Sequence, residues 1–401
     1  MRKKSLPLAI AFFLAFSQSA LALTFGGEVA LRGTVQRLSE HDLIEREFRN
    51  PKTRRTADFI AMCFKSIGLS PVKGAFIHPF QGGANVMGLL KGTGDGLIVV
   101  QSHCDSEGAG ESASDNAAGI ATLLEMASVM RGRGKLTRSV LFVSFDGEEY
   151  GFAGAQSFMN NPPFPLKSID TYLSIDSVGR AFGDSPSWRF FCAGSEFCNG
   201  QRMVLSTRPW FVQLVGTDIF GNRGSYALFR DQKIPFLFFT NGRHRDTHGS
   251  GDTQEKLNYN MMYEQVDYLS KLVASLAMAP MRFKVAYAKN PKEYALLKAM
   301  WTEFKPKISL LPAPYPFAIP VIESRLAVKR PERSDLVQAF GLMEIAVTPW
   351  VTTEALAVGE ARRCEAAGDK GGAVRSYQKA LKASRTKMVR EWYIRHIKEI
   401  K

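Results

Sequence analysis

The sequence predicts an α/β fold, a mixed and mostly parallel twisted sheet sandwiched between helices, with a mainly helical C-terminal appendage. Three observations predict it. Between residues 85 and 280, apolar runs of strand length alternate with amphipathic runs of helix length. The strand candidates are continuously apolar rather than alternating, which marks a sheet buried on both faces. A chain of 401 residues at 45% hydrophobic and 22% charged exceeds one ordinary core, so a large domain plus an appendage is expected. That composition excludes a disordered, collagen-like or bare coiled-coil chain.

The chain begins MRKKSLPLAIAFFLAFSQSALAL. Arg2, Lys3 and Lys4 precede an apolar run from Leu6 to Phe16, and small residues lead to Ala20-Leu21-Ala22. This is the order of a secretory signal peptide, cleaved after Ala22, and it implies a secreted or periplasmic protein. The alternative is a transmembrane anchor, but the run is shorter than the roughly 20 residues a span needs. No later segment is long and apolar enough to cross a membrane.

Residues 23–280 form the expected main domain. Its strands are read at Leu97 to Ser102, Val140 to Phe145, Thr171 to Ile175 and Ile234 to Phe239. A helix from Asp115 to Met130 carries Ile120, Leu123, Leu124, Ala127 and Met130 at a period of 3.6. A short helix follows at Gly151 to Asn160, and a long one at Glu255 to Ala279 closes the domain.

Residues 281–401 are an extension of different character. From Pro312 to Pro331 it is Pro-rich and reads as an extended connection or strap. From about residue 353 to 385 it resembles a single tetratricopeptide helix pair, with Gly368-Asp369 at the turn. Without a second copy, a helical hairpin packed on the main domain is the favoured reading over a partner-binding solenoid. Net charge is +14, of which residues 281–401 carry 23 Lys/Arg against 12 Asp/Glu, while residues 23–280 balance at 26 against 26. A neutral body argues against a nucleic-acid partner. The basic extension is expected either to contact an anionic cell surface or to pack on the main domain.

Export permits disulfides. Of five cysteines, Cys192 and Cys198 lie six positions apart in a Gly-containing loop and are read as a short bridge, two free thiols being the alternative. Cys63 and Cys364 read as buried thiols.

Ligand sites in such folds gather beyond the carboxyl ends of the strands. There the polar residues form a pattern. His103-Cys104-Asp105 follows the first strand and Asp115-Asn116 opens the next helix. Asp146-Gly147-Glu148-Glu149 follows the second strand, Asp176 ends the third, and His248 with Asp252 follows the fourth. Each signal alone has a bland reading: a helix N-cap, a solvated acidic pair, a surface turn. Five in order at strand ends point to a metallohydrolase. Two His with three carboxylates suit zinc. Five ligands exceed one catalytic zinc, but serve two if one carboxylate bridges. The remaining carboxylate of the Glu148-Glu149 pair is then free for general acid/base work.

The segments HCD, DNAAG, EEYGFAGA, SIDSVG and HGSGDT resemble the co-catalytic zinc aminopeptidase family, which also contains glutamate carboxypeptidases and glutaminyl cyclases. The resemblance covers roughly residues 30–280. It implies two Zn2+ per chain, one held by His103, Asp115 and Asp176, the other by Asp115, Glu149 and His248. It also implies Glu148 as base and Asp105 as the group orienting His103. His248 is preferred to His244 because Asp252-Thr253 follows it at the family spacing. A disulfide loop bordering the pocket, as Cys192–Cys198 would form, is common in the family. Departures are Gly224-Ser225-Tyr226 in place of Ser-Asp-His, Ala155 in place of Ser, and Cys104 within His-x-Asp, read as pointing into the core. The function so implied is an exported zinc-dependent exopeptidase. Its first reading is an aminopeptidase acting on peptides through a metal-bridging hydroxide. The alternatives are a glutamate-carboxypeptidase-like or glutaminyl-cyclase-like enzyme, or an inactive exported binding protein.

Overall fold

The computed structural model describes residues 26–40, 43–44, 46–50, 53–107, 110–197, 208–249, 251–279, 292–309, 318–329, 331–347, 357, 361, 364, 368–383 and 387–400. The expected signal peptide and Cys198 lie outside them, as does most of the first helix of the expected hairpin. Among the described residues, no helix is long and apolar enough to cross a membrane.

A mixed sheet forms the centre. Its strands are β1 (Ser70–Pro71), β2 (Ile77–Phe80), β3 (Gly83–Leu90), β4 (Leu97–His103), β5 (Ser139–Phe145), β6 (Ile169–Asp176), β7 (Phe190–Ala193), β8 (Val212–Leu214) and β9 (Phe236–Thr240). They are ordered β1-β3-β5-β4-β6-β9-β7-β8, with β2 also paired to β3. The four strands read from sequence are the parallel centre, β5-β4-β6-β9. The flanks β1, β2 and the pair β7/β8 are not legible as runs because they are short or partly exposed, and β3 because Gly83, Asn85 and Gly88 interrupt its apolar residues.

Alternate side chains of the central strands enter two separate cores, as burial on both faces requires. Ile98 and Val100 of β4 and Val140 and Phe142 of β5 join one core with α1 (Glu28–Leu38), α2 (Thr53–Ile67) and α3 (Ala118–Gly132). Val99, Leu141 and Val143 face the other, beside α4 (Ala153–Asn160), the single turn α5 (Thr217–Phe220) and α6 (Tyr226–Asp231). The long helix α7 (Tyr259–Met278) closes the first face.

The second face needs more cover than α4 to α6 supply. It is completed by α8 (Glu293–Ser309), α9 (Ala318–Ala327) and α10 (Arg333–Val347), whose Phe304, Ile322, Phe340 and Met343 belong to the same core as β4 and β5. Phe340 stacks on Phe182 at 5.5 Å and meets Phe220 edge-on at 5.4 Å. Arg333 bridges Asp218 and Glu293, and Arg189 pairs with Glu303 at 2.7 Å. The last helices, α11 (Lys370–Ala383) and α12 (Lys387–Ile400), share a small cluster of their own around Tyr377 and Tyr393.

Three sequence expectations are corrected. Residues 318–327 are helical rather than an extended strap: Pro320 falls in the first turn, where its missing N–H costs nothing, and Ile322 and Leu326 stack on the buried side. Cys192 lies on β7, not in a loop, and is a free thiol fully buried in the same core as Phe190 and Phe239. The predicted Cys192–Cys198 bridge is therefore not among the described bonds, Cys198 itself being outside the described residues. The helix read from Asp115 starts at Ala118, for a reason that belongs to the site.

Phe340 is the hinge of the second-face packing. Phe340→Ala should cost roughly 3–5 kcal/mol, as buried Phe truncations do. Chemical denaturation of the full chain, read as a shift in midpoint at constant slope, checks it.

Candidate metal centre

The parallel strands β4, β5, β6 and β9 deliver their carboxyl ends to one edge of the sheet. His103 is the last residue of β4 and Asp176 the last of β6. Glu148 and Glu149 lie in the loop after β5, and His248 and Asp252 in the segment between β9 and α7.

Asp115 reaches this edge because the backbone before α3 is pulled out of helical geometry. Its φ and ψ are −128° and 82°. The Asp252 carboxylate accepts hydrogen bonds from the amides of Ser114 (3.0 Å) and Asp115 (3.1 Å) and from the Ser114 hydroxyl (2.9 Å). Asn116 donates to the Ser102 hydroxyl on β4 at 3.0 Å, so it is no helix cap. Gly119 lets the helix lie this close: a Cβ there would meet Asn116 Oδ1 at 2.1 Å and Ser102 Oγ at 2.3 Å.

Both imidazoles turn Nε2 inward. His103 Nε2 lies 3.3 Å from Asp115 Oδ1 and 3.3 Å from Asp176 Oδ1. His248 Nε2 lies 3.1 Å from Asp115 Oδ2 and 3.4 Å from Glu149 Oε1. The two oxygens of Asp115 are thus divided between the two histidines. The outer ring nitrogens are also held. His103 Nδ1 is 3.1 Å from the Asp105 carbonyl oxygen and 3.4 Å from its carboxylate, while His248 Nδ1 is 2.5 Å from Glu107 Oε2.

The cluster suits cations. Donor atoms of His103, Asp115 and Asp176 all lie within 4.8 Å of one another, as do those of Glu107, Glu149 and His248. Burial alone would lower the pKa of His103, yet Asp105, Asp115 and Asp176 carry it well above the usual value. His248 is raised in the same way by Asp115, Glu107 and Glu149. Burial would raise Asp115, but the two histidines hold it well below the carboxylate range. A buried group of three carboxylates and two imidazoles is electrostatically satisfied only when positive charge sits among them. Oxygen and nitrogen donors of this type suit divalent zinc.

Glu148 differs from these. Its Oε1 accepts the Ser225 amide at 2.7 Å, while its buried Oε2 has no hydrogen-bond partner among the described residues. Burial pushes its carboxyl up to about 8. Its neighbour Glu149 is also raised, by burial and by Asp115. The Asp105 carboxylate spans the amides of Glu148 and Glu149, at 3.0 Å each, and so fixes the turn that carries both.

These groups open onto one cavity of about 230 Å³, lined also by Phe152, Phe220, Phe238, Arg223, Arg243 and Glu344. Arg180 and Arg245 pair with Asp184 and do not line this cavity. His244 lies behind the cluster, 2.6 Å from the Ser114 hydroxyl, and burial lowers it to about 3. Cys104 is buried in the core.

Two contributors escaped the sequence reading. Glu107 is one of two glutamates in a Gly/Ser-rich loop, with no spacing signal to link it to residue 248. Arg46 is fully buried and donates to the carbonyls of Leu38, Cys104, Glu111 and Ser112, so it holds the loop between β4 and Asp115. Glu107→Gln should weaken zinc binding at the His248 position roughly 10- to 100-fold, as loss of an outer partner to a ligand histidine does. Competition against a graded zinc chelator measures it.

Residues 85–273 match Peptidase family M28. An aminopeptidase of Pseudomonas aeruginosa is 32% identical over 90 residues, 22% of this chain and 17% of that protein. The curated relatives are matched over only 11–20% of their own lengths. The aminopeptidase from Aneurinibacillus sp. strain AM-1 superposes with a TM-score of 0.53 at 14% identity, over 66% of this chain and 97% of that one. Porphyromonas gingivalis glutaminyl cyclase superposes with a TM-score of 0.52 at 15% identity, over 63% and 99%. At these identities the two structures establish a shared fold.

Proposed function

Residues 85–273 belong to peptidase family M28, and from that premise we propose that the protein is an exported, zinc-dependent exopeptidase, an aminopeptidase that releases N-terminal residues from peptides. The observation that carries this reading is the division of the Asp115 carboxylate between His103 and His248, each backed by one further carboxylate. In this reading His103, Asp115 and Asp176 hold one zinc ion and Asp115, Glu149 and His248 the second. Bound zinc supplies Lewis acidity toward a peptide carbonyl and an attacking water.

The chain's own residues do the rest. Ser225 fixes one oxygen of Glu148, which leaves Oε2 to take a proton from water and return it to the leaving amine. Burial raises the basicity of that carboxylate. Asp105 keeps Glu148 and Glu149 in register through their amides. The histidines are locked as Nε2 ligands by Asp105 and Glu107. The basic residues of the extension support retention at an anionic cell surface.

A mixed peptide pool incubated with zinc-loaded protein tests the reading by mass spectrometry. Ladders shortened from the amino end, blocked by N-acetylation and by a chelator, are expected. Shortening from the carboxyl end would make it a carboxypeptidase. Loss of 17 Da from N-terminal Gln, the mass of ammonia, would make it a glutaminyl cyclase. An unchanged pool would leave a binding protein.

A further inference from the structure

The catalytic cavity is not built by the family-matching residues alone. One of its lining side chains, Glu344, comes from α10 in the C-terminal extension. Its carboxylate is nearly excluded from solvent, at 3% exposure, and pairs with Arg223, which lies between α5 and α6 and lines the same cavity. The placement of Glu344 is firm. Phe340, one helical turn earlier on the same face, is wedged against Phe182, Phe191 and Phe220. Phe220 itself lines the cavity, with Phe152 and Phe238. Arg333, at the start of α10, is anchored by Asp218 and Glu293.

The charges of the cavity follow from this packing. Beyond the metal-ligand cluster and Glu148, the side chains of its lining are three aromatic rings, two arginines, Glu344, Ser177 and Thr240. Arg243 lies close enough to Glu107 to help hold that carboxyl below its usual range. Arg223 is matched by Glu344. A guanidinium beside aromatic rings is a ready site for a substrate carboxylate, unless a fixed carboxylate already occupies it.

We propose that Glu344, supplied by the appended helix α10, sets side-chain specificity by neutralising Arg223, so that the cavity takes an uncharged apolar side chain and rejects an acidic one. This rests on the aminopeptidase reading for the identity of the substrate. An acidic side chain entering the cavity would have to displace Glu344 from Arg223 and then lie beside it. Without Glu344, Arg223 becomes an anion site.

The test uses the full mature chain, loaded with zinc, as wild type, E344Q, E344D, R223Q and R223Q/E344Q. Hydrolysis of leucyl, glutamyl and lysyl p-nitroanilides is measured, and binding of free leucine, glutamate and lysine is followed by calorimetry. In E344Q the glutamyl-to-leucyl ratio of kcat/KM should rise roughly tenfold or more, through KM. R223Q should leave the glutamyl-to-leucyl ratio at or below that of wild type. E344D and the double variant should return that ratio toward wild type, a pattern that simple loosening of α10 would not produce. Unchanged ratios and unchanged ligand preference across folded variants overturn the proposal. If free amino acids follow the pattern but no anilide is cleaved, the specificity pair stands and the aminopeptidase reading falls. Absence of both binding and turnover overturns both.

Discussion

Glu148→Gln is expected to lower kcat on a cleavable peptide by roughly 10²–10⁴-fold, the usual contribution of a positioned acid/base group. Zinc content and thermal midpoint should stay close to wild type. The amide is nearly isosteric, and its oxygen can keep the bond that Glu148 Oε1 receives from the Ser225 amide. What it loses is the second oxygen's ability to accept a proton. That oxygen is buried and has no partner among the described residues, so its replacement by NH2 disturbs no other contact. The loss should appear in kcat more than in KM, because proton transfer belongs to the transition state. Stopped-assay kinetics on a leucyl substrate, with metal analysis of the same sample, checks both halves. A variant with kcat within threefold of wild type would remove Glu148 from the acid/base role.

The contrast between Glu148 and its neighbours shows which parts of this site a sequence can reveal. Candidate ligands at strand ends are legible because β4, β5, β6 and β9 are continuous apolar runs that point their last residues to one edge. His103, Asp176 and the Glu148-Glu149 pair follow directly from where those runs stop. Asp115 is legible as a position but not as a conformation. Its departure from helical geometry depends on the Asp252 carboxylate, 137 residues away in sequence. Glu107 and Arg46 act through contacts with no periodicity to betray them. The largest gap concerns the extension. Spacing announces a helix pair only near residues 353–385, and nothing announces α8 to α10, which cover the second sheet face and place Glu344 in the cavity. Long-range packing of helix on sheet is selected by shape and volume, which a one-dimensional pattern carries only weakly.

The most severe loss should come from Asp115→Asn. A carboxylate has two equivalent acceptor oxygens, and here each faces a different histidine: Oδ1 lies 3.3 Å from His103 Nε2 and Oδ2 3.1 Å from His248 Nε2. An amide keeps one acceptor and turns the other into a donor, so it can serve one cation but not a pair. It also removes the negative charge that most directly compensates two buried positive centres. Zinc affinity should therefore fall at both positions, each by more than the roughly 10- to 100-fold that loss of an outer partner costs. Asp176→Asn, by contrast, touches only the His103 side and should spare the other position. Titration of metal-free protein with zinc, read as stoichiometry by elemental analysis after dialysis, separates the two outcomes. Near two ions per chain in wild type, one in Asp176→Asn and fewer than one in Asp115→Asn is the signature of a bridging carboxylate. Equal single losses in both variants would mean independent positions. The loss of activity in Asp115→Asn would then be that of one ligand, not of the joint that holds the centre together.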